Sequence, residues 1–149
     1  MNTFVWTVRV RADAPRTVTV HARNHAFSVG EPLSFRPTDT YPSAIELMLG
    51  AFAADLTATF RTFARQQRVT LDAIEFSASC SLNNPLMHIG VFGEEGHPGL
   101  ERIDGTLYVS SDADEAILAA LWKTTLARSP LYNTLCSVVE ISLRMQATV

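Results

Sequence analysis

Lysine is nearly absent from this chain. Lys123 is the only one, and 12 basic against 15 acidic residues leave a net charge of −3. Nucleic-acid binding draws most of its affinity from clustered lysine and arginine, so no nucleic-acid partner is expected. Cysteine is equally sparse. Cys80 and Cys136 are too few for a disulfide scaffold, and both read as free thiols. No run of about 18 apolar residues is present, and no basic start leads into an apolar segment, so neither a membrane span nor an export signal is expected. The expectation is a cytoplasmic protein. His21, His25, His88 and His97 are scattered and form no metal-ligand spacing, so no metal or other cofactor is expected.

What is present suits one folded domain over residues 1–149, with 47% hydrophobic and 18% charged residues. The first third alternates as half-buried strands do. Trp6, Val8 and Val10 oppose Thr7, Arg9 and Arg11, and Val18, Val20 and Ala22 repeat the pattern after a turn at Asp13-Ala14-Pro15. A third strand over 26–29 leads to a loop broken by Pro32, Pro37 and Pro42. Ser43, with Glu46 three residues on, has capping-box spacing and predicts a helix to about Gln67. Residues 47–54 carry no polar side chain, and then Asp55 interrupts them. A helix apolar on every face needs a sheet and a second subunit to cover it, which predicts a homodimer. An ionised acid within it costs several kcal/mol or more unless it is solvated or paired.

Ile74, Phe76, Ala78, Cys80 and Leu82 alternate with polar residues in the clearest strand of the sequence, placing Cys80 toward the core. A further strand is expected over 87–92, an exposed loop over 93–99, and another strand with Ile103, Gly105, Leu107 and Val109 on one face. Asp112 and Glu115 predict a helix ending near Arg128. Ser129-Pro130 opens a short helical turn through Leu135, and Val139 to Met145 close as a strand. The expected order is β-β-β-α-β-β-β-α-β, an α+β fold.

Four segments, "RNHAFSVGEP", "YPSAIELMLGAFAADL", "GLERIDGTLYV" and "ARSPLYNTL", resemble the family of osmotically inducible protein C (OsmC) and organic hydroperoxide resistance (Ohr) proteins. The resemblance covers about residues 18–145. It implies an intertwined homodimer with central helices back to back and two active sites at the dimer interface. In active members, a peroxidatic cysteine on the central helix and a resolving cysteine before a proline carry out peroxide reduction. Here Asp55 stands at the first position and Ser129 at the second, and neither can perform thiol chemistry.

Three readings follow. One is a dimer that binds a small organic molecule in an interfacial pocket near Asp55, Ser129, Arg23 and Arg36, without thiol peroxidase activity. Another is a non-thiol enzyme with Asp55 as acid or base. The last is a hydroperoxide reductase whose chemistry has moved to Cys80 or Cys136. His21, Arg23 and His25 on one strand would share a face and form a basic strip. Glu46 lies on the opposite side of the helix from Asp55 and reads as a cap.

Overall fold

The computed structural model describes residues 3–31 and 40–148 and divides the chain into two compact units, residues 1–48 and 49–149, with the boundary inside the long helix. The elements are β1 (Arg9–Ala14), β2 (Thr17–Ala22), β3 (His25–Val29), α1 (Ala44–Gln66), β4 (Ala73–Leu82), α2 (Pro85–His88), β5 (Leu100–Ser110), α3 (Glu115–Arg128), α4 (Pro130–Leu135) and β6 (Glu140–Thr148). The fold is α+β.

In the first unit β1, β2 and β3 form an antiparallel sheet in that order. The expected first strand begins at Arg9, not Trp6, because residues that far back would run past the turn that ends β2. Phe4 and Trp6 are consequently exposed, at 78% and 86%. Pro32, Arg36 and Pro37 lie outside the described residues. The Gly30 N–H donates to the Pro42 carbonyl at 2.9 Å, and a Cβ on Gly30 would stand 2.7 Å from the Tyr41 oxygen. Only glycine lets the two backbones approach this closely.

The capping box forms as the spacing predicts. The Ser43 N–H donates to Glu46 Oε2 at 2.7 Å, and the Glu46 N–H donates to Ser43 Oγ at 3.2 Å. These two bonds satisfy donors that the first helical turn otherwise leaves unpaired.

In the second unit, β5 is the central strand, antiparallel to β4 and parallel to β6. A parallel neighbour cannot be reached by a hairpin, so α3 and α4 serve as the crossover. Phe52, Leu56, Phe60 and Ala64 recur every four residues along α1 and are all buried. Phe60 and Ala64 share a cluster with Leu107 and Val109 of β5 and Leu118 and Leu121 of α3. Phe52 and Leu56 share another with Ile103. Burying each of the larger side chains is worth about 1.5–3 kcal/mol. Along the other side of α1, Gly50, Ala51, Ala54 and Ala58 are exposed within the single chain. Among the described residues no helix is long and apolar enough to cross a membrane.

The strand expected over 87–92 does not form. Asn84 Oδ1 accepts from the Leu86 N–H at 3.0 Å with Pro85 at the first helical position, so the chain enters α2 instead. Gly90 and Gly93 have φ of 73° and 86° and turn it onward. Asn84 Nδ2 also donates to Glu94 Oε2 and to the Glu95 carbonyl, both at 2.9 Å, closing the loop. These local bonds outweigh a short apolar alternation, leaving Ile89, Val91 and Phe92 exposed. The order is therefore β-β-β-α-β-α-β-α-α-β. The cap of α3 is Asp114, two residues beyond Asp112.

The hydrogen bonds from Ser43, its backbone N–H first, hold the Glu46 carboxyl below its ordinary range. A depressed folded value means that this stabilisation is present above the unfolded value and is lost as pH falls through the folded one. Glu46→Gln is expected to flatten the loss of stability on acidification in this window, as measured by urea unfolding from pH 6 to 3. Ser43→Ala should cost about 1 kcal/mol at pH 7.

Candidate functional site

A helix cannot continue through Ser129 because the residue before a proline is driven to extended backbone. Ser129 accordingly has φ −69° and ψ 119°, ending α3 and starting α4 with Pro130 at its first position. One residue thus closes one helix and opens the next. Its N–H donates to the Thr125 carbonyl at 2.9 Å, and its Oγ accepts from the Tyr132 N–H at 3.0 Å. Asn133 Nδ2 braces the corner, donating to the carbonyls of Leu126 at 2.9 Å and Ser129 at 2.7 Å.

Ser129 is fully buried, and its hydroxyl proton has one destination. The Oγ donates to Asp55 Oδ2 at 2.5 Å, and the same oxygen accepts from the Leu131 N–H at 3.3 Å. The carboxylate on the apolar helix is therefore received by the first turn of α4. A hydrogen bond involving a charged acceptor is shorter and stronger than a neutral one. Leu56, beside Asp55 in sequence, is buried in the cluster that Leu131, Tyr132 and Leu135 also pack against, so apolar packing carries α1 to this corner. Asp55 itself is half-buried. Its second oxygen, Oδ1, has no donor among the described residues. Since no fully buried side-chain oxygen there lacks a partner, Oδ1 is not fully buried within the single chain.

Arg23 occupies the first position of the two-residue turn between β2 and β3, with φ 56°, and not a strand. The expected basic strip is not formed. His21 pairs with Ala26 and His25 with Ala22, which sets the two histidines on opposite faces of the sheet. Arg36 lies outside the described residues. Glu46 is occupied by the capping box. Cys80 lies half-buried against the Phe52–Leu56–Ile103 cluster, and burial pushes its thiol up, which disfavours the reactive thiolate. Cys136 is exposed, with Sγ 3.8 Å from the Asn133 carbonyl. Among the described residues no three or more His, Cys, Asp or Glu side chains converge as a metal site would require.

The sequence reading missed the two backbone donors, Leu131 N–H and Tyr132 N–H, and the brace at Asn133. The signal for them was the Ser-Pro start, which sets Ser129 as a cap and places the amides of the next turn beside it.

Asp55→Ala and Ser129→Ala, singly and together, test whether this bond holds in solution. Urea unfolding should give a coupling energy of about 1–3 kcal/mol between the two sites, and a value near zero would show that the bond is not formed.

The sequence matches a family described as OsmC-like protein over residues 37–144. No curated protein matches it. Solved structures share its fold, three of them as follows. An OsmC-like protein from Mycoplasma pneumoniae has a TM-score of 0.83 at 17% identity, covering 98% of this chain and 99% of that one. An organic hydroperoxide resistance protein OsmC from Legionella pneumophila has a TM-score of 0.68 at 13% identity, covering 98% and 99%. The organic hydroperoxide resistance protein OhrB of Bacillus subtilis has a TM-score of 0.64 at 18% identity, covering 96% and 98%.

Proposed function

This chain belongs to the OsmC-like protein family, and from that premise we propose that it is a homodimeric member without thiol peroxidase activity that binds a small organic molecule at the subunit interface. The observation that carries the reading is the direct bond between Asp55 and Ser129, the two residues that stand where the family resemblance places cysteines. Peroxide reduction by this route needs a thiolate. Its sulfur attacks the peroxide oxygen, the oxygen–oxygen bond breaks, the alcohol leaves with a proton, and the sulfenic acid is then captured by a second thiol. A carboxylate and a serine hydroxyl supply neither step. Relocation is disfavoured at Cys80, where burial raises the thiol, and Cys136 has no second cysteine beside it in sequence.

Dimerisation is supported by apolar surface that the single chain leaves uncovered. Phe4, Val5, Trp6, Val8 and Val10 are all exposed in the first unit, and the Gly50, Ala51, Ala54 and Ala58 side of α1 is exposed as well. Apolar patches of this kind mark surfaces of association. We read residues 1–149 as one OsmC-like domain, supported by matched structures that span 96–98% of the chain. In this reading Asp55 contacts the ligand and Ser129 positions Asp55. A cytoplasmic site of action is part of the proposal.

Sedimentation should give a species of twice 16.4 kDa at micromolar concentration, and a folded monomer would remove the interfacial pocket. Organic hydroperoxides should not be turned over with dithiol reductants. Replacing both Cys80 and Cys136 with Ser should leave any slight peroxide consumption unchanged, whereas clear cysteine-dependent turnover would restore the reductase reading.

A further inference from the structure

The hydrogen-bonding groups at the Asp55 corner have a one-sided balance. Two first-turn amides of α4 point at the site, and both are already used: Leu131 N–H by Asp55 Oδ2 and Tyr132 N–H by Ser129 Oγ. The Ser129 hydroxyl proton is used as well, on the same Asp55 oxygen. Each of these donors, which would otherwise attract an anion, is therefore satisfied by the chain itself. What stays open is an acceptor, Asp55 Oδ1, which has no donor among the described residues and is not fully buried within the single chain.

The charge around it is equally one-sided. Residues 47–60 of α1 contain no arginine or lysine, and among the described residues of its unit no cation comes within ion-pair distance of Asp55. One helical turn away on either side stand Ala51 and Ala58, which offer methyl groups and no charge. An acceptor of negative charge set among small apolar side chains favours a cationic donor head on a compact apolar body, and opposes a carboxylate or other anion.

We infer that the Asp55 site takes a small primary amine, whose ammonium donates to Oδ1 while its carbon skeleton lies at the subunit interface, between the Ala51–Ala58 side of α1 and the partner subunit. The inference rests on the small-molecule reading proposed above and names the class of ligand for it. Binding needs no covalent step and no co-reactant. Ser129 is a positioning residue in this arrangement: its bond to Oδ2 fixes the carboxylate plane and leaves Oδ1 turned outward.

Matched probes test the inference. Benzylamine, benzyl alcohol and benzoate share one ring and differ in the head group, and butylamine, butanol and butyrate repeat the comparison on a flexible chain. Each is titrated by calorimetry at pH 7 into the wild-type protein and into Asp55→Asn, which keeps the size of the side chain and removes its charge. The wild type should bind the amines about tenfold or more tightly than the alcohols and bind the carboxylates weakest. Asp55→Asn should lose that margin for the amines while the alcohols change less. Equal affinity for all three heads in the wild type would overturn the amine assignment and leave a small-molecule site standing. So would a preference for the carboxylates, which is the outcome expected if Arg23 or Arg36 supplied a counter-charge. The wild-type comparison decides this without the variant, so a poorly folded Asp55→Asn does not obscure it. No binding by any probe at millimolar concentration would overturn the small-molecule reading itself.

Discussion

The stripe of Phe52, Leu56, Phe60 and Ala64 is what the second unit is organised around. Its four-residue repeat keeps the buried side chains on one side of α1, and the inward residues of β5 and α3 complete the two clusters it feeds. The inner face of the sheet is fitted closely to this arrangement. At Gly105, a Cβ would stand 2.7 Å from the Phe76 ring and 2.9 Å from Leu143, so the central strand has no room for a side chain there. The outer face is polar, with Arg102 bonded to Asp104 and Glu140 and the guanidinium holding the Asp104 carboxyl below its usual range. A sheet with one apolar and one polar face can be covered by helices on one side only, which is where α1 and α3 pack.

That packing explains why a carboxylate is tolerated at position 55. Residue 56 must face inward, so its neighbour sits at the margin of the buried stripe, half-buried and within reach of whatever closes the cluster. The closing element is the Ser129-Pro130 corner. Proline forces the break in the helix, the break makes Ser129 a cap, and the cap presents a hydroxyl and an amide to Asp55. The polar contact is thus a by-product of two backbone constraints.

Features decided by neighbours in sequence were legible before the fold was known. The Ser43–Glu46 capping box needs only a three-residue spacing, and the parity of β4 needs only alternation. Features decided by competition between local signals were not. The apolar residues of 87–92 alternate well enough for a strand, but Asn84-Pro85 and two left-handed glycines turn the chain first. Arg23 reads as a strand residue in the sequence because nothing in an arginine announces a left-handed turn. The parallel pairing of β5 with β6 depends on residues far apart in the chain, beyond any periodicity. The meeting of Asp55 with Ser129 is of the same kind: 74 positions separate them, and in the sequence only the family resemblance links them.

The crossover between β5 and β6 also dictates timing. Arg102 and Glu140 are partners 38 residues apart, whereas β4 and β5 close over a shorter connection. Closing a longer loop costs more chain entropy before any contact repays it, and non-local pairings of this kind slow folding. Until β6 pairs, one edge of the central strand is open while β4 holds the other. An open strand edge is a template for pairing with another chain. The corner at Ser129, fixed by proline and braced by Asn133, lies on that crossover and limits the directions in which the returning chain can leave α3.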